Sequence, residues 1–277
     1  MQQCLKYKSK RFKESYGIAC CRFNIKTKKP EVLMIKKKYT YAFFDFVFCK
    51  YKKRDEYRLY KLFEQMSLQE KSDILKLDFD KLWCRIRIKI PDQPNYNAKN
   101  PFIKNKNDAW NTYTNKKNKF NNNFINNDKG RRLKKIINGT KSIDYIWEIP
   151  KGRPQLNEKP INTAIREFYE ETDIGIDKYT FLLHINPITE SYIVNKCQYK
   201  HTYFVAVANQ FNWDPELNFS SHEQSLEVEN IQWVSLDKAN FLNLKYAEPK
   251  LRILKLLKKV INVFKYNYKF SNHVLHE

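Results

Sequence analysis

The stretch from Gly152 to Ile174 constrains this chain more than any other. Gly152 is followed after five residues by Glu158, and seven residues later come Arg166 and Glu167. Phe168, Tyr169, Glu170 and Glu171 continue the run, and Asp173 and Ile174 close it. Glu167, Glu170 and Glu171 stand at i, i+3 and i+4, so a helix puts them on one face. Three like charges there repel one another unless a cation sits among them. Ile161, Ala164, Ile165, Phe168 and Thr172 fall on an adjoining face suited to packing on a sheet. The spacing therefore predicts a helix over 161–173, entered through a loop from Gly152, with its carboxylates facing a cleft. Carboxylate oxygens suit Mg2+ or Mn2+. Such an ion bridges phosphate oxygens, neutralises developing charge and helps make hydroxide from water. Arg166 can pair with Glu158 and hold the loop against the helix. A solvated acidic helix face is the plainer reading of Glu-x-x-Glu-Glu alone. The register of Gly152, Glu158 and Arg166 with it favours a metal site.

Around this stretch the pattern alternates. Residues 16–25 and 31–36 read as two strands of a hairpin, with Pro30 in the turn region. Residues 39–49 are aromatic and read as another strand or an extended loop. From 55 to 90 the apolar residues recur at helical spacing, and Ser67 with Glu70 forms a capping-box pattern. Residues 92–128 are rich in Asn and Lys and are either flexible or poorly patterned helix, and 131–138 reads as a short basic helix. Strands are expected at 143–149, 179–185, 188–194, 199–208 and 230–235. A last helix is expected at 249–264, where Leu251, Leu254, Leu257, Ile261 and Phe264 form one stripe. The whole predicts an α/β (α+β) sandwich interrupted by a helical insertion. Its discontinuous main domain comprises 1–49 and 141–265, the insertion 50–140, and a tail 266–277.

Charge narrows the partners. The 277 residues carry a formal net charge of +22. Such an excess attracts polyanions. The 18 Tyr and 19 Phe add stacking surfaces, a combination that suits nucleic acid. Part of this composition is also what an AT-rich genome produces. The six Cys include no C-x-x-C pair and His is scarce, which argues against a zinc site or a disulfide scaffold and for reduced cysteines. No apolar run is long enough to span a bilayer, and the N-terminus lacks a signal region. A soluble cytoplasmic protein is expected.

The Gly152–Ile174 register resembles the Nudix box, with Asp173 standing where that pattern has Gly. Asp tolerates the left-handed conformation such a helix end needs, so only a small shift is expected. Trp147-Glu148-Ile149-Pro150-Lys151-Gly152 resembles the entry of Nudix enzymes acting on mRNA caps, dinucleoside polyphosphates or diphosphoinositol polyphosphates. Residues 15–49, 77–83 and 199–204 are similar to the decapping Nudix enzymes of large cytoplasmic DNA viruses such as African swine fever virus and mimivirus. The resemblance covers about residues 15–260; the Asn/Lys-rich segment matches poorly.

The resemblance implies a Nudix α/β/α sandwich with an inserted helical, RNA-binding region. It implies hydrolysis of capped mRNA to 7-methyl-GDP and 5′-monophosphate RNA. Carried over, the metal ligands are Glu167, Glu170 and Glu171, with one further Glu six residues before a Trp. That residue is Glu227, before Trp233, with Glu223 and Glu229 as alternatives. Glu171 or Glu227 is the expected general base. Lys151 and Arg153 are expected at the phosphates, with Arg166 supporting the catalytic helix. The Gly152 carbonyl is a further candidate metal ligand. A methylated guanine is often held between aromatic rings. Phe43, Phe44, Phe46, Tyr199 and Tyr203 are candidates for that role, although each also reads as core packing. The basic residues from 81 to 141 are the candidate RNA track. Two other readings stay open: a phosphohydrolase of diphosphoinositol or dinucleoside polyphosphates, and a nucleic-acid-binding protein on an inactive Nudix scaffold. If the protein is viral, the compartment expected is the host cytoplasm.

Overall fold

The computed structural model describes residues 11–87, 90–91, 106–143, 147–194, 197–210, 213–218, 220–237 and 247–273. The basic arm up to residue 10 and residues 92–105 of the Asn/Lys-rich stretch lie outside the described residues. The chain divides into two compact units, residues 38–145 and residues 1–37 with 146–277.

The first of these units is helical. Its elements are α1 (Tyr41–Val47), α2 (Glu56–Phe63), α3 (Leu68–Lys76), α4 (Phe79–Ile86), α5 (Lys106–Phe120) and α6 (Arg131–Asn138). Side chains cap the starts of α1 to α4: Thr40, Asp55, Ser67 and Asp78 each accept a backbone N–H from the first turn. At Ser67 the capping box is complete, with Glu70 returning a bond to the cap backbone. Thr40 Oγ1 also donates to Glu70 Oε2 at 2.9 Å, so one buried carboxylate ties α1 to α3. Residues 106–120 of the Asn/Lys-rich stretch are helix α5, and the basic pattern at 131–138 is helix α6.

Residues 39–49 correct the expectation of a strand or extended loop. They contain helix α1, and they belong with the helical unit, whose boundary falls after residue 37. Ala42, Phe43, Phe46 and Val47 lie on one helix face and are all buried. Tertiary packing overrides the strand preference of the aromatic residues here. Phe43 and Phe46 are fully buried and are core residues, which removes them as cap-stacking surfaces. Phe46 meets Phe63 edge-on, with ring centroids 5.0 Å apart, and also packs on Phe120 and Phe124.

The second unit is built on a mixed eight-stranded sheet. Its strands are β1 (Arg11–Asn24), β2 (Lys29–Lys37), β3 (Trp147–Glu148), β4 (Lys151–Gly152), β5 (Tyr179–Phe181), β6 (Ile188–Val194), β7 (Cys197–Ala208) and β8 (Val228–Ser235). Its helices are α7 (Pro160–Thr172), α8 (His222–Glu227) and α9 (Ala247–His273). β1 and β7 pair in parallel, and the remaining pairs are antiparallel.

Alternation along β1 and β2 sends side chains to two cores. Ile18, Cys20, Leu33 and Ile35 pack with Ala164 and Phe168 of α7. Ala19, Cys21, Val32 and Met34 pack with Ile253, Leu254, Leu257 and Ile261 of α9. The result is an α/β/α sandwich. Tyr203 belongs to the α9 core, only 1% exposed, with its hydroxyl donating to Glu190, so it too is no cap-stacking surface. α9 continues to His273, through most of the tail expected at 266–277. Among the described residues five cysteines are free, and no helix is long and apolar enough to cross a membrane.

Of the strand expected at 143–149, residues 144–146 lie outside the described residues. Trp147–Glu148 pairs with β2, and Pro150 then turns the chain so that Lys151–Gly152 pairs with β1. This crossing is close: a Cβ on Gly17 would lie 2.1 Å from the Pro150 carbonyl oxygen. Only glycine admits the loop at that distance.

Candidate active site

α7 starts at Pro160, whose fixed φ suits a first helical turn. It ends at Asp173, which takes the left-handed conformation with φ 57° and ψ 25°. Asp173 thus fills the glycine role, and its Oδ2 accepts from Asn218 Nδ2 at 2.8 Å. Ala164, Phe168 and Thr172 are buried against the sheet. That anchoring leaves Glu167, Glu170 and Glu171 together along the remaining face.

Arg166 organises the loop before the helix. Its Nε and one terminal nitrogen reach the two oxygens of Glu158 at 2.8 and 2.9 Å, a bidentate pair. The same guanidinium donates to the Arg153 carbonyl at 3.0 Å and to Glu167 and Glu170, each at 2.9 Å. The Arg166 guanidinium holds the Glu158 carboxyl down at about 2. Arg166 therefore supports the site by holding three box carboxylates and the loop in one arrangement. Gly152 is pressed onto this set. A Cβ there would lie 1.8 Å from Glu167 Oε2.

Glu171 is the most enclosed of the three, 4% exposed. It accepts the Lys151 backbone N–H at 2.9 Å and the Lys37 ammonium. Burial pushes its carboxyl up to about 7; Lys37 opposes the rise and Glu148 adds to it. Burial also raises the Glu167 carboxyl, with Arg166 opposing. Glu227, at the end of α8, reaches Lys37 at 3.0 Å, so the structure brings it to the same cation as Glu171. Glu229 instead pairs with Lys36 at 2.9 Å. The Glu223 side chain lies outside the described residues.

Lys151 differs from expectation. Its ammonium is turned inward, 2.9 Å from Glu148, and the residue is 8% exposed. Burial acts to raise the Glu148 carboxyl, but Lys151, Lys250 and Lys37 together outweigh it and hold it well below the usual range. Lys151 thus fixes the loop from beneath, and exposed Arg153 is the neighbouring cation at the surface. Tyr199 is half-buried, stacked on Tyr192 with centroids 5.5 Å apart and with the Lys13 ammonium over its ring. Sequence reasoning missed Lys37, Lys250 and the buried role of Glu148. Lys37 sits in a run of three lysines, and nothing in their spacing marks it out.

Among the described residues no group of three or more His, Cys, Asp or Glu side chains converges closely enough to hold a metal ion. The cations engaging Glu167, Glu170 and Glu171 include Arg166 and Lys37. In kind the donors fit a hard divalent ion, because they are carboxylate oxygens gathered within one turn of helix. Binding one requires these side chains to re-aim.

The comparisons with known proteins give the family. The NUDIX domain model matches residues 124–257. The chain is 33% identical over 235 residues to mRNA-decapping protein g5R of African swine fever virus, a match covering 83% of this chain and 88% of that protein. The chain belongs to the Nudix family. This Nudix protein is also 42% identical over 45 residues to an RNA pyrophosphohydrolase of Bartonella clarridgeiae, covering 16% of this chain and 26% of that protein. Among solved structures, a C. elegans Ap4A hydrolase in a binary complex aligns over 92% of this chain and 98% of its own, with a TM-score of 0.42 and 13% identity. The protein is a Nudix hydrolase, a pyrophosphohydrolase of a family that depends on divalent metal.

Proposed function

We propose that this Nudix hydrolase decaps mRNA, cleaving the cap triphosphate bridge to release 7-methyl-GDP and leave 5′-monophosphate RNA. The observation that carries the reading is the similarity to a viral mRNA-decapping protein through most of both chains. The box carboxylates and Glu227 at one end of the sheet are consistent with it. Glu167, Glu170, Glu171 and Glu227, with the Gly152 carbonyl, would hold Mg2+ or Mn2+. When bound, the ion supplies charge neutralisation at the bridging phosphates. Glu171, the most enclosed of the box carboxylates, is the first candidate to take a proton from the attacking water. Glu227 is the second candidate base, and it stands at the more exposed side of the cluster. Arg153, exposed beside the box, is the candidate cation for the phosphates, and Lys151 positions Glu148 and the loop. Tyr199 is the remaining candidate for stacking on the cap base. Arg131, Lys134 and Lys135 are exposed on α6 and are candidates for the RNA track. The proposed compartment is the host cytoplasm.

RNA labelled in the cap tests this directly. Labelled 7-methyl-GDP, released only when Mg2+ or Mn2+ is supplied, is the expected product. Release of 7-methyl-GMP, or no release, overturns the reading. A second reading, hydrolysis of diphosphoinositol or dinucleoside polyphosphates in the same site, rests on the Trp147–Gly152 approach. Competition by uncapped RNA separates the two, because strong inhibition requires an RNA-binding surface.

A further inference from the structure

Lys37 is the last residue of β2, and its ammonium meets three carboxylates from three other elements. It donates to Glu171 of α7, to Glu227 of α8 at 3.0 Å, and lies 3.8 Å from Glu148 of β3. The Lys37 side chain is 11% exposed, and those of Glu171 and Glu148 are 5% and 3% exposed. An irregularity in the sheet makes this meeting possible. Lys36 pairs with Asn230, but Lys37 pairs with Val228, so Glu229 is an extra residue on β8. A bulge of this kind re-aims the side chains beside it. Here Glu229 goes to Lys36 while Glu227 goes to Lys37. Glu148 has two further cations, Lys151 at 2.9 Å and Lys250 at 3.6 Å. It is therefore neutralised without Lys37, which leaves Glu171 and Glu227 as the pair that Lys37 chiefly serves.

We infer that Lys37 is a positioning residue that holds Glu171 and Glu227 in place of the divalent ion and gives up both when the ion binds. The inference rests on the reading of Glu171 as a metal ligand. Two cations a few ångströms apart among the same carboxylates repel, and in a site this enclosed the repulsion is little screened. Ion binding must therefore break the Lys37 pairs. The run of three lysines at the end of β2 then has one member with a specific task, set by the bulge.

The test uses the full chain and Mn2+ alone, with no RNA. Mn2+ affinity is measured by calorimetric titration, and thermal unfolding is followed with and without Mn2+. Lys37→Gln is expected to bind Mn2+ about tenfold more tightly than the wild type. It should melt lower than the wild type without Mn2+, and saturating Mn2+ should narrow that gap. Lys37→Arg keeps the charge and should stay within about twofold of wild-type affinity. Lys37→Met keeps the apolar stem and should behave as Lys37→Gln, which guards against a folding defect peculiar to one variant. Unchanged or weaker Mn2+ binding in both neutral variants overturns the inference, since a merely structural ion pair predicts a loosened, weaker site. Equal tightening in Lys37→Arg overturns it as well. Glu171→Gln separates the two layers. If that variant keeps wild-type Mn2+ affinity, the metal-site reading itself fails. If it loses Mn2+ while the neutral Lys37 variants are unchanged, only the role of Lys37 falls.

Discussion

The backbone N–H of Lys151 donates to Glu171 Oε2 at 2.9 Å, joining residues twenty apart in the chain. The bond locks the approach to the box onto the third of its helical carboxylates. It also leaves the other Glu171 oxygen to Lys37. Glu171 is thus oriented by backbone on one side and by a cation on the other.

Glu171→Gln keeps the shape of the side chain and can still accept from Lys151, so it should fold. It removes the negative charge and the capacity to take a proton. Cleavage of cap-labelled RNA should fall by about 10²- to 10⁴-fold, with circular dichroism and melting temperature little changed. A folded variant that cleaves at the wild-type rate would remove Glu171 from the catalytic set.

Gly152→Ala places a methyl group into the Glu167 carboxylate, where a Cβ would lie 1.8 Å from Oε2. Either the loop or Glu167 must move. Denaturant unfolding should show a loss of about 1–3 kcal/mol, as for other overpacked sites. Activity should fall with it. Loss of activity without loss of stability would locate the shift in Glu167 alone.

Glu158 and Arg166 act as one unit, through two bonds of 2.8 and 2.9 Å. Glu158→Gln and Arg166→Ala should therefore each reduce cleavage, and the double variant should be scarcely slower than Arg166→Ala. Multiplying losses in the double variant would show that the two residues serve the site independently.

Asp173 holds φ 57° at the end of α7. A β-branched residue pays a steric cost there, so Asp173→Val should lower stability by about 1–2 kcal/mol. Asp173→Gly relieves the backbone but loses the bond to Asn218, and should stay within about 0.5 kcal/mol of the wild type. Equilibrium unfolding of the two variants reads both.

Glu70→Ala tests the helical unit. It removes the return bond of the capping box and the bond from Thr40. Loss of a buried cap partner should cost about 1–2 kcal/mol in equilibrium unfolding. Glu70→Gln should recover part of it, because the amide oxygen still accepts.

The features legible without a structure are those whose cause is local. Glu167, Glu170 and Glu171 share a face because a helix repeats every 3.6 residues, and that follows from spacing alone. The capping box at Ser67 and the short helix at 131–138 are local in the same way. So is the tolerance of Asp173 for the left-handed region. Aromatic residues carry a weaker local signal, since a Phe fits a strand or a helix equally well. Phe43 and Phe46 therefore looked like part of a strand and a binding surface, and packing with Phe63, Phe120 and Phe124 made them core.

The chain alone determined the sandwich, the acidic face of α7 and the bridge open to Arg166 and Glu158. Only the tertiary structure decided which cations meet those acids. Lys37 reaches Glu171 across 134 residues and Glu227 across 190, and Lys151 turns inward to Glu148. Such pairs are set by the register of strands and the path of loops, here by one extra residue at Glu229. No periodicity along the chain encodes a contact between segments that far apart.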